Sequence, residues 1–475
     1  MPATAPASVD AQLAVAQALF QRDDVTRAEA LLRSAQAREP AHEDVATLLA
    51  KVLQSRGRLG AAANVLLAAC RASGFEPAMS LRCARFAQQC DRHAVAAQIC
   101  EGALAVGSSD PQLLALAGNV ARETGDFETA RARYLAALEA GIDLDRHHVL
   151  GALANTRRYV DPADAEIARF EHHFADPRYS PRSRASAGFA LAKARNDLAD
   201  YRAAAQTLRE ANAMVHAAWP WDRTAWQSFV AARVQERIAA GAAVADCSFV
   251  PVFIVGLPRT GTTLTATLLA RASGARDRGE LRALRYIAEQ LIRGGHLASP
   301  AAVAEGANLY RMLAVQDDEP ATWYLDQDPL NFRWLHIAAA MFPQARVIHL
   351  RRDRRDTALS LWSQDFAHPD LAFAYAFDDM RAYMAGHDAL MDHWKQSLSL
   401  QIFELDYETL VTQTEPTLAR LREFIGAPDT TPDVAQDAAP VQSSSVWQAR
   451  QPVYASSVGR WRNYVPYVPE LKRIG

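Results

Sequence analysis

Small and apolar residues in the first half of the chain recur on a period much longer than a helical turn. Alanine stands at Ala28, Ala62, Ala96 and Ala130, each 34 residues after the last. Ala16, Ala50, Ala84 and Gly118 keep a second phase of that period, and Ala35, Ala69, Ala103 and Ala137 a third. The larger Leu32, Leu66, Cys100 and Tyr134 form a fourth. The second half is patterned differently. Three apolar runs, 250–255, 345–350 and 400–405, are separated by helix-compatible stretches that include 283–292, 331–341, 357–364, 378–394 and 416–425. The first half thus predicts repeated helix pairs. The second predicts strands alternating with helices, and so a mostly parallel sheet covered on both faces.

Three small positions and one larger one, held over four units, are the tetratricopeptide pattern. The small residues let the two helices of a repeat approach closely, and the larger one fills the gap between repeats. Gly57-Arg58 and Gly125-Asp126 fall at turns between helices, and Pro40 and Pro111 punctuate the unit boundaries. Ala192, Ala204, Leu208 and Ala211 predict a further unit near 185–215. An unrelated alanine-rich bundle is the competing reading, disfavoured by a register kept over four units. The expected organisation is a flexible N-terminus at 1–8, a tetratricopeptide α-solenoid at 9–215, a helical junction at 216–248 and a P-loop-like α/β domain at 249–475. The aromatic residues Trp219, Trp221, Trp226 and Phe229 of the junction predict packing rather than ligand contact. Arrays of this kind bind through a concave groove, so a protein or peptide partner is expected there.

With 475 residues the chain can bury more than one core. Lys and Arg total 51 against 54 Asp and Glu, a balance that gives no reason to expect nucleic acid or an anionic membrane. Five cysteines (Cys70, Cys83, Cys90, Cys100, Cys247) form no CxxC pair, and four lie in predicted helix interiors. Reduced, buried thiols in a cytoplasmic protein are expected. The first residues lack the basic and apolar regions of a secretory signal, and no apolar run reaches membrane-spanning length.

The chemistry concentrates after the strands. The first run breaks at Gly256, turns through Leu257-Pro258-Arg259-Thr260-Gly261 and restarts as a helix on Thr262-Thr263. Strand, glycine turn and helix start aim backbone N–H groups and a positive dipole end at an anion. The Gly256-x-x-x-x-Gly261 spacing is that of a nucleotide P-loop, but Thr262 stands where an NTPase carries lysine. With Arg259 inside the loop, the expected ligand is a phosphate compound other than a triphosphate. After the second run comes Arg351-Arg352-Asp353-Arg354-Arg355-Asp356-Thr357-Ala358-Leu359-Ser360. An arginine at a strand end with a hydroxyl on the next helix can clamp one phosphate. The competing readings are a solvated basic turn or a nucleic-acid patch.

Taken together these features resemble the sulfotransferases that use 3′-phosphoadenosine 5′-phosphosulfate (PAPS), specifically bacterial members with N-terminal tetratricopeptide repeats. Their catalytic domain is similar to that of the tyrosylprotein sulfotransferases, and the resemblance covers essentially the whole chain. It implies that Pro258-Arg259-Thr260-Gly261-Thr262-Thr263 binds the 5′-phosphosulfate, with threonine at 260 where serine is usual. It implies that Arg352 and Ser360 hold the 3′-phosphate, although Arg354 replaces a usual proline. Tyr407-Glu408-Thr409-Leu410 matches a family motif after a strand. The stretches 445–452 and 457–461 match a C-terminal segment that closes over the nucleotide, which makes Tyr407, Ser445 and Arg460 cofactor-binding candidates. Glu280 of Gly279-Glu280 takes the place of the general base, with Arg259 stabilising charge on the leaving phosphate. A carboxylate favouring a helix N-terminus is the alternative for Glu280. His349 and His336 are expected to be packed. The acceptor implied is a hydroxyl, on a peptide tyrosine or a small molecule, and no metal is expected.

One position departs from the family. Where lysine is usual, the chain reads Asp326-Gln327-Asp328-Pro329. A neutral amide there implies a slower enzyme, a substitute cation (Arg282, Arg285 or Arg333), or a PAPS-binding scaffold with little turnover.

Overall fold

The computed structural model of the chain describes residues 8–238, 248–366, 368–428 and 457–474. It divides into two compact units, Met1–Ile142 with Met312–Pro320, and Asp143–Arg311 with Ala321–Gly475.

In the first unit, helices run in consecutive pairs. These are α1 (Val9–Gln21) with α2 (Val25–Arg38), α3 (Glu43–Ser55) with α4 (Leu59–Ala72), α5 (Pro77–Gln89) with α6 (His93–Ala105), and α7 (Pro111–Thr124) with α8 (Phe127–Glu139). Every residue of the four sequence phases is buried, which is the tetratricopeptide arrangement. Gly118 shows how tightly the phases are coupled. A Cβ there would lie 2.6 Å from Tyr134 Cε1, so the repeat that carries tyrosine at the large position carries glycine where the others carry alanine. Two of the four second helices, α2 and α8, start on aspartate, with Asp24 and Asp126 accepting the N–H of Arg27 and Thr129, whereas α4 and α6 start on Arg58 and Arg92. Residues 312–320 are part of this unit: the Asp317 carboxylate accepts the N–H groups of Gly60 and Ala61 at 2.8 Å, at the start of α4.

The second unit opens with α9 (Val149–Ala154), α10 (Ala165–Ala175), α11 (Pro181–Asp197), α12 (Tyr201–Ala218) and α13 (Arg223–Gln235). The helix pair expected near 185–215 is α11 with α12, which bury Ala192, Ala204, Leu208 and Ala211 and group with this unit. The aromatic residues that follow pack: Trp226 stacks on Tyr383 with ring centroids 4.5 Å apart, and Trp221 meets Phe373 edge-on at 6.1 Å. Trp219 stays 38% exposed beneath Arg182.

Five parallel strands follow: β1 (Val250–Gly256), β2 (Arg276–Asp277), β3 (Trp323–Asp326), β4 (Arg346–Arg351) and β5 (Gln401–Asp406), in the order β2-β3-β1-β4-β5. The sequence pattern marks β1, β4 and β5. It misses β2 and β3, which at two and four residues are too short to show a run. The connecting helices are α14 (Thr262–Ser273), α15 (Ala283–Arg293), α16 (Pro300–Val315), α17 (Leu335–Met341), α18 (Arg354–Trp362), α19 (Phe377–Ser397), α20 (Tyr407–Thr412) and α21 (Thr414–Ile425). The helix expected over 331–341 is a 3₁₀ turn, Pro329–Trp334, followed by α17. From β1 the chain goes first to β3's side and then to β4's, so the order reverses at β1. The crevice beyond the carboxyl end of β1 is where such sheets bind ligands.

Among the described residues no helix is long and apolar enough to cross a membrane, and no group of three His, Cys, Asp or Glu could hold a metal ion. Cys70, Cys83, Cys90 and Cys100 are buried free thiols; Cys247 lies outside the described residues.

Candidate active site

Gly256 ends β1 in register with Leu350 of β4. A Cβ at Gly256 would stand 2.6 Å from the Leu350 carbonyl oxygen, so only glycine lets the turn start this close to β4. Arg259 sits at φ +74°, left-handed backbone that costs a non-glycine residue about 1 kcal/mol. From there its Nε donates to the Ser360 hydroxyl at 3.1 Å. Thr260 is buried, and its hydroxyl donates to the Leu257 carbonyl at 2.7 Å, so it shapes the loop. Gly261 occupies the N-cap position of α14 at φ +105° and has no side chain with which to cap it. Its α-carbon lies against the Tyr407 ring, where a Cβ would be 2.6 Å from Cδ2. The α14 N-terminus, with Thr262 and Thr263 buried in its first turn, thus presents donors to an anion without a competing side-chain cap.

Arg352 leaves the end of β4 and closes the other side. Its Nη1 donates to the Arg259 carbonyl at 2.9 Å and its Nη2 to the Ser457 carbonyl at 3.0 Å, and its guanidinium lies 4.6 Å from the Tyr407 ring centroid. Among the described residues it forms no ion pair with a carboxylate, so its charge is held by neutral carbonyls and a ring face. Tyr407 and Ser457 share a hydroxyl–hydroxyl bond of 2.7 Å. Arg259, the start of α14, Arg352, Ser360 and Tyr407 are thereby brought together. Arg460 is placed elsewhere: its Nη2 donates to Asn196 Oδ1 at 2.9 Å, an oxygen that also accepts the Tyr464 hydroxyl. Ser445 and the stretch 445–452 lie outside the described residues.

Glu280 follows β2. Asp277 Oδ1 accepts the Gly279 N–H, and the Gly279 carbonyl accepts the Gln327 N–H, both at 2.9 Å, so the Gly279-Glu280 turn runs beside Asp326-Gln327-Asp328. Crowding by protein and the nearby Asp328 carboxylate push the Glu280 pKa up to about 8, against the pull of Arg282 and Arg259. One face of Glu280 is open to solvent, and water on that face opposes the rise. Asp328 is itself raised by burial, and its carboxylate accepts the Leu330 N–H at 2.9 Å. Asp326, raised by burial and by Asp328, accepts the Tyr310 hydroxyl at 3.0 Å.

Gln327 is 3% exposed. Its Nε2 stands 3.5 Å from Asp277 Oδ1, a weak contact, and its Oε1 has no donor. Of the three substitute cations, Arg285 is bonded to Asp370 and Glu289, and Arg333 donates to the Tyr383 hydroxyl at 2.7 Å. Arg282 is the one whose charge acts on Glu280. His336 pairs with Glu236 at 2.9 Å and stacks on Trp394, and His349 is buried beside His387; both are packing residues. Sequence reasoning missed Asp328 and Tyr310. The Asp-x-Asp spacing around Gln327 was the available signal for the first, and nothing local marks the second.

The arrangement can hold a dianionic group between a helix start and two arginines, and can take a proton at Glu280. The sequence model described as the sulfotransferase family matches residues 251–432. An uncharacterized protein of Aquifex aeolicus is 30% identical over 338 residues, covering 66% of this chain and 44% of that protein. Cytosolic sulfotransferase 17 of Arabidopsis thaliana is 30% identical over 110 residues, 19% of this chain and 31% of its own. The chain therefore spans less than half the length of these curated relatives. The sulfotransferase domain of the Synechococcus PCC 7002 olefin synthase superposes with a TM-score of 0.35 at 18% identity, over 50% of this chain and 98% of that one. Behind its helical repeats, the C-terminal half of this chain carries a domain of the sulfotransferase family.

Proposed function

We propose that this domain transfers the sulfuryl group of PAPS to a hydroxyl acceptor, on a peptide tyrosine or a small molecule. The observation that carries the reading is the convergence of Arg259, Ser360 and Arg352 on one uncapped helix N-terminus. The fit to the donor is chemical: one anion holder at the α14 start and a second at Arg352 and Ser360 suit a nucleotide with separate 5′ and 3′ phosphate groups. The donor supplies the sulfuryl group and leaves as adenosine 3′,5′-bisphosphate. In this reading Arg259 and the N–H groups of Thr262 and Thr263 bind the 5′ side, and Arg352, Ser360 and Tyr407 bind the 3′ side. Ser445 and Arg460 remain candidates for the donor's outer face. Glu280 accepts the acceptor hydroxyl's proton, and Arg282 balances charge beside it. The repeat unit binds a protein or peptide partner. Its buried thiols fit a reducing, cytoplasmic setting.

A second reading has a specific observation behind it. Gln327 brings no charge, and its carbonyl oxygen is left without a donor. A PAPS-binding scaffold with little turnover fits that position. Incubation with sulfur-labelled PAPS and a panel of peptide and small hydroxyl acceptors separates the two. Label on an acceptor supports transfer, PAPS binding without transfer supports the scaffold, and failure to bind either PAPS or adenosine 3′,5′-bisphosphate removes both.

A further inference from the structure

We propose that Asp356 is a positioning residue that latches residues 457–461 onto the Arg352 side of the anion site and so sets affinity for the nucleotide. This rests on the donor reading given under Proposed function. Asp356 lies in the first turn of α18 and is 2% exposed, so its carboxylate needs internal partners. Oδ2 accepts the Gly459 N–H at 2.5 Å and Oδ1 the Trp461 N–H at 2.8 Å. Both donors come from a segment more than a hundred residues away in sequence, so the two charge-assisted bonds fix tertiary rather than local structure. Gly459, at φ +75°, supplies the bend that carries the chain from its own N–H to that of Trp461. The Arg355 guanidinium, 3.9 Å from the Trp461 ring centroid, covers the same turn from outside.

The other end of this turn touches the anion site. Ser457 gives its carbonyl to Arg352 Nη2 and its hydroxyl to the Tyr407 phenol. Those bonds hold the Arg352 guanidinium against Tyr407 and close to the Arg259 carbonyl, the placement the second phosphate holder needs. Asp356 need not touch the nucleotide. By holding Gly459 and Trp461 it holds Ser457, and by holding Ser457 it pre-orients Arg352. Removing the latch lets the arginine sample other rotamers, and binding must then order it anew.

The test uses the whole chain, with Asp356→Asn and, to leave the buried carboxylate intact, Gly459→Ala. Residue 459 sits at φ +75°, so alanine there strains the turn that Asp356 holds. Calorimetry with adenosine 3′,5′-bisphosphate should show roughly tenfold weaker binding for Asp356→Asn, and weaker binding for Gly459→Ala, than for the wild type. The KM for PAPS should rise with kcat little changed, because Glu280 is untouched. Amide exchange at Gly459 and Trp461 should accelerate in Asp356→Asn. Wild type that binds the bisphosphate, with variants that bind equally well, overturns the latch alone; so does faster exchange with affinity unmoved. Wild type that binds no bisphosphate removes the donor reading and the latch with it.

Discussion

Glu280 gives the most specific kinetic expectation. An ordinary glutamate, with a pKa of 4.5, is fully ionised from pH 6 upward, and a base of that kind gives a flat rate between pH 6 and 9. Here crowding by protein and the Asp328 carboxylate raise the group toward about 8, with water on its open face opposing the rise, so the proton-accepting form is scarce at pH 6 and grows as pH increases. The rate constant kcat/KM should therefore rise with pH between 6 and 8 and level off above. Asp328→Asn removes the like charge and leaves the burial, so the rising limb should move to lower pH and the rate at pH 7 should increase. Glu280→Gln should lower turnover by about 10²–10⁴-fold, the usual range for a positioned base, while adenosine 3′,5′-bisphosphate binding is kept. Initial rates of label transfer from PAPS across that pH range, with each variant, measure all three. A flat wild-type profile, or Glu280→Gln with normal turnover, refutes Glu280 as the base.

Other expectations follow from single contacts. Gln327→Lys places a cation beside Asp277 and should raise turnover; no gain, measured in the same label assay, would mean Arg282 already supplies the charge. Gly118→Ala brings a methyl to 2.6 Å from Tyr134 and should cost about 1–3 kcal/mol of stability, and adding Tyr134→Leu should recover part of it, as read by thermal unfolding of each variant. His93 is buried, which disfavours its charge, but the Asp91 and Glu123 carboxylates outweigh that and lift it to about 9. The folded-state pKa is the higher one, so its stabilisation is complete below about 6.5 and is lost as pH rises through about 9. Denaturant midpoints of the wild type should fall over that window, and those of His93→Gln should not.

The repeat half was legible because its signal is steric and periodic: a position such as Ala28 or Ala62 admits only a small residue, and the constraint returns with every unit. The grouping of Arg259, Arg352 and Ser360, on which the proposed anion site rests, was legible for a related reason, since a strand end, a glycine turn and an arginine eight residues before a serine are local. What stayed hidden depends on distant partners. β3 is four residues long and ends in Asp326, whose charge looks wrong for a core strand until Tyr310 and burial are seen around it. Arg460 reads as a phosphate ligand from its local motif, and its bond to Asn196, 264 residues away in sequence, is invisible there. Asp356 sits inside a basic stretch and looks like its counter-charge, yet it bonds two backbone N–H groups of the C-terminal segment.

The central claim is a single site with separate holders for a 5′ and a 3′ phosphate group. Calorimetric titration of the whole chain with adenosine 3′,5′-bisphosphate, adenosine 5′-monophosphate and magnesium ATP tests it most directly. The expected result is binding of the bisphosphate, at least tenfold weaker binding of the monophosphate, and equal affinity for the two when Arg352 is replaced by alanine. Binding of magnesium ATP in preference to the bisphosphate, or no difference between bisphosphate and monophosphate in the wild type, would contradict it.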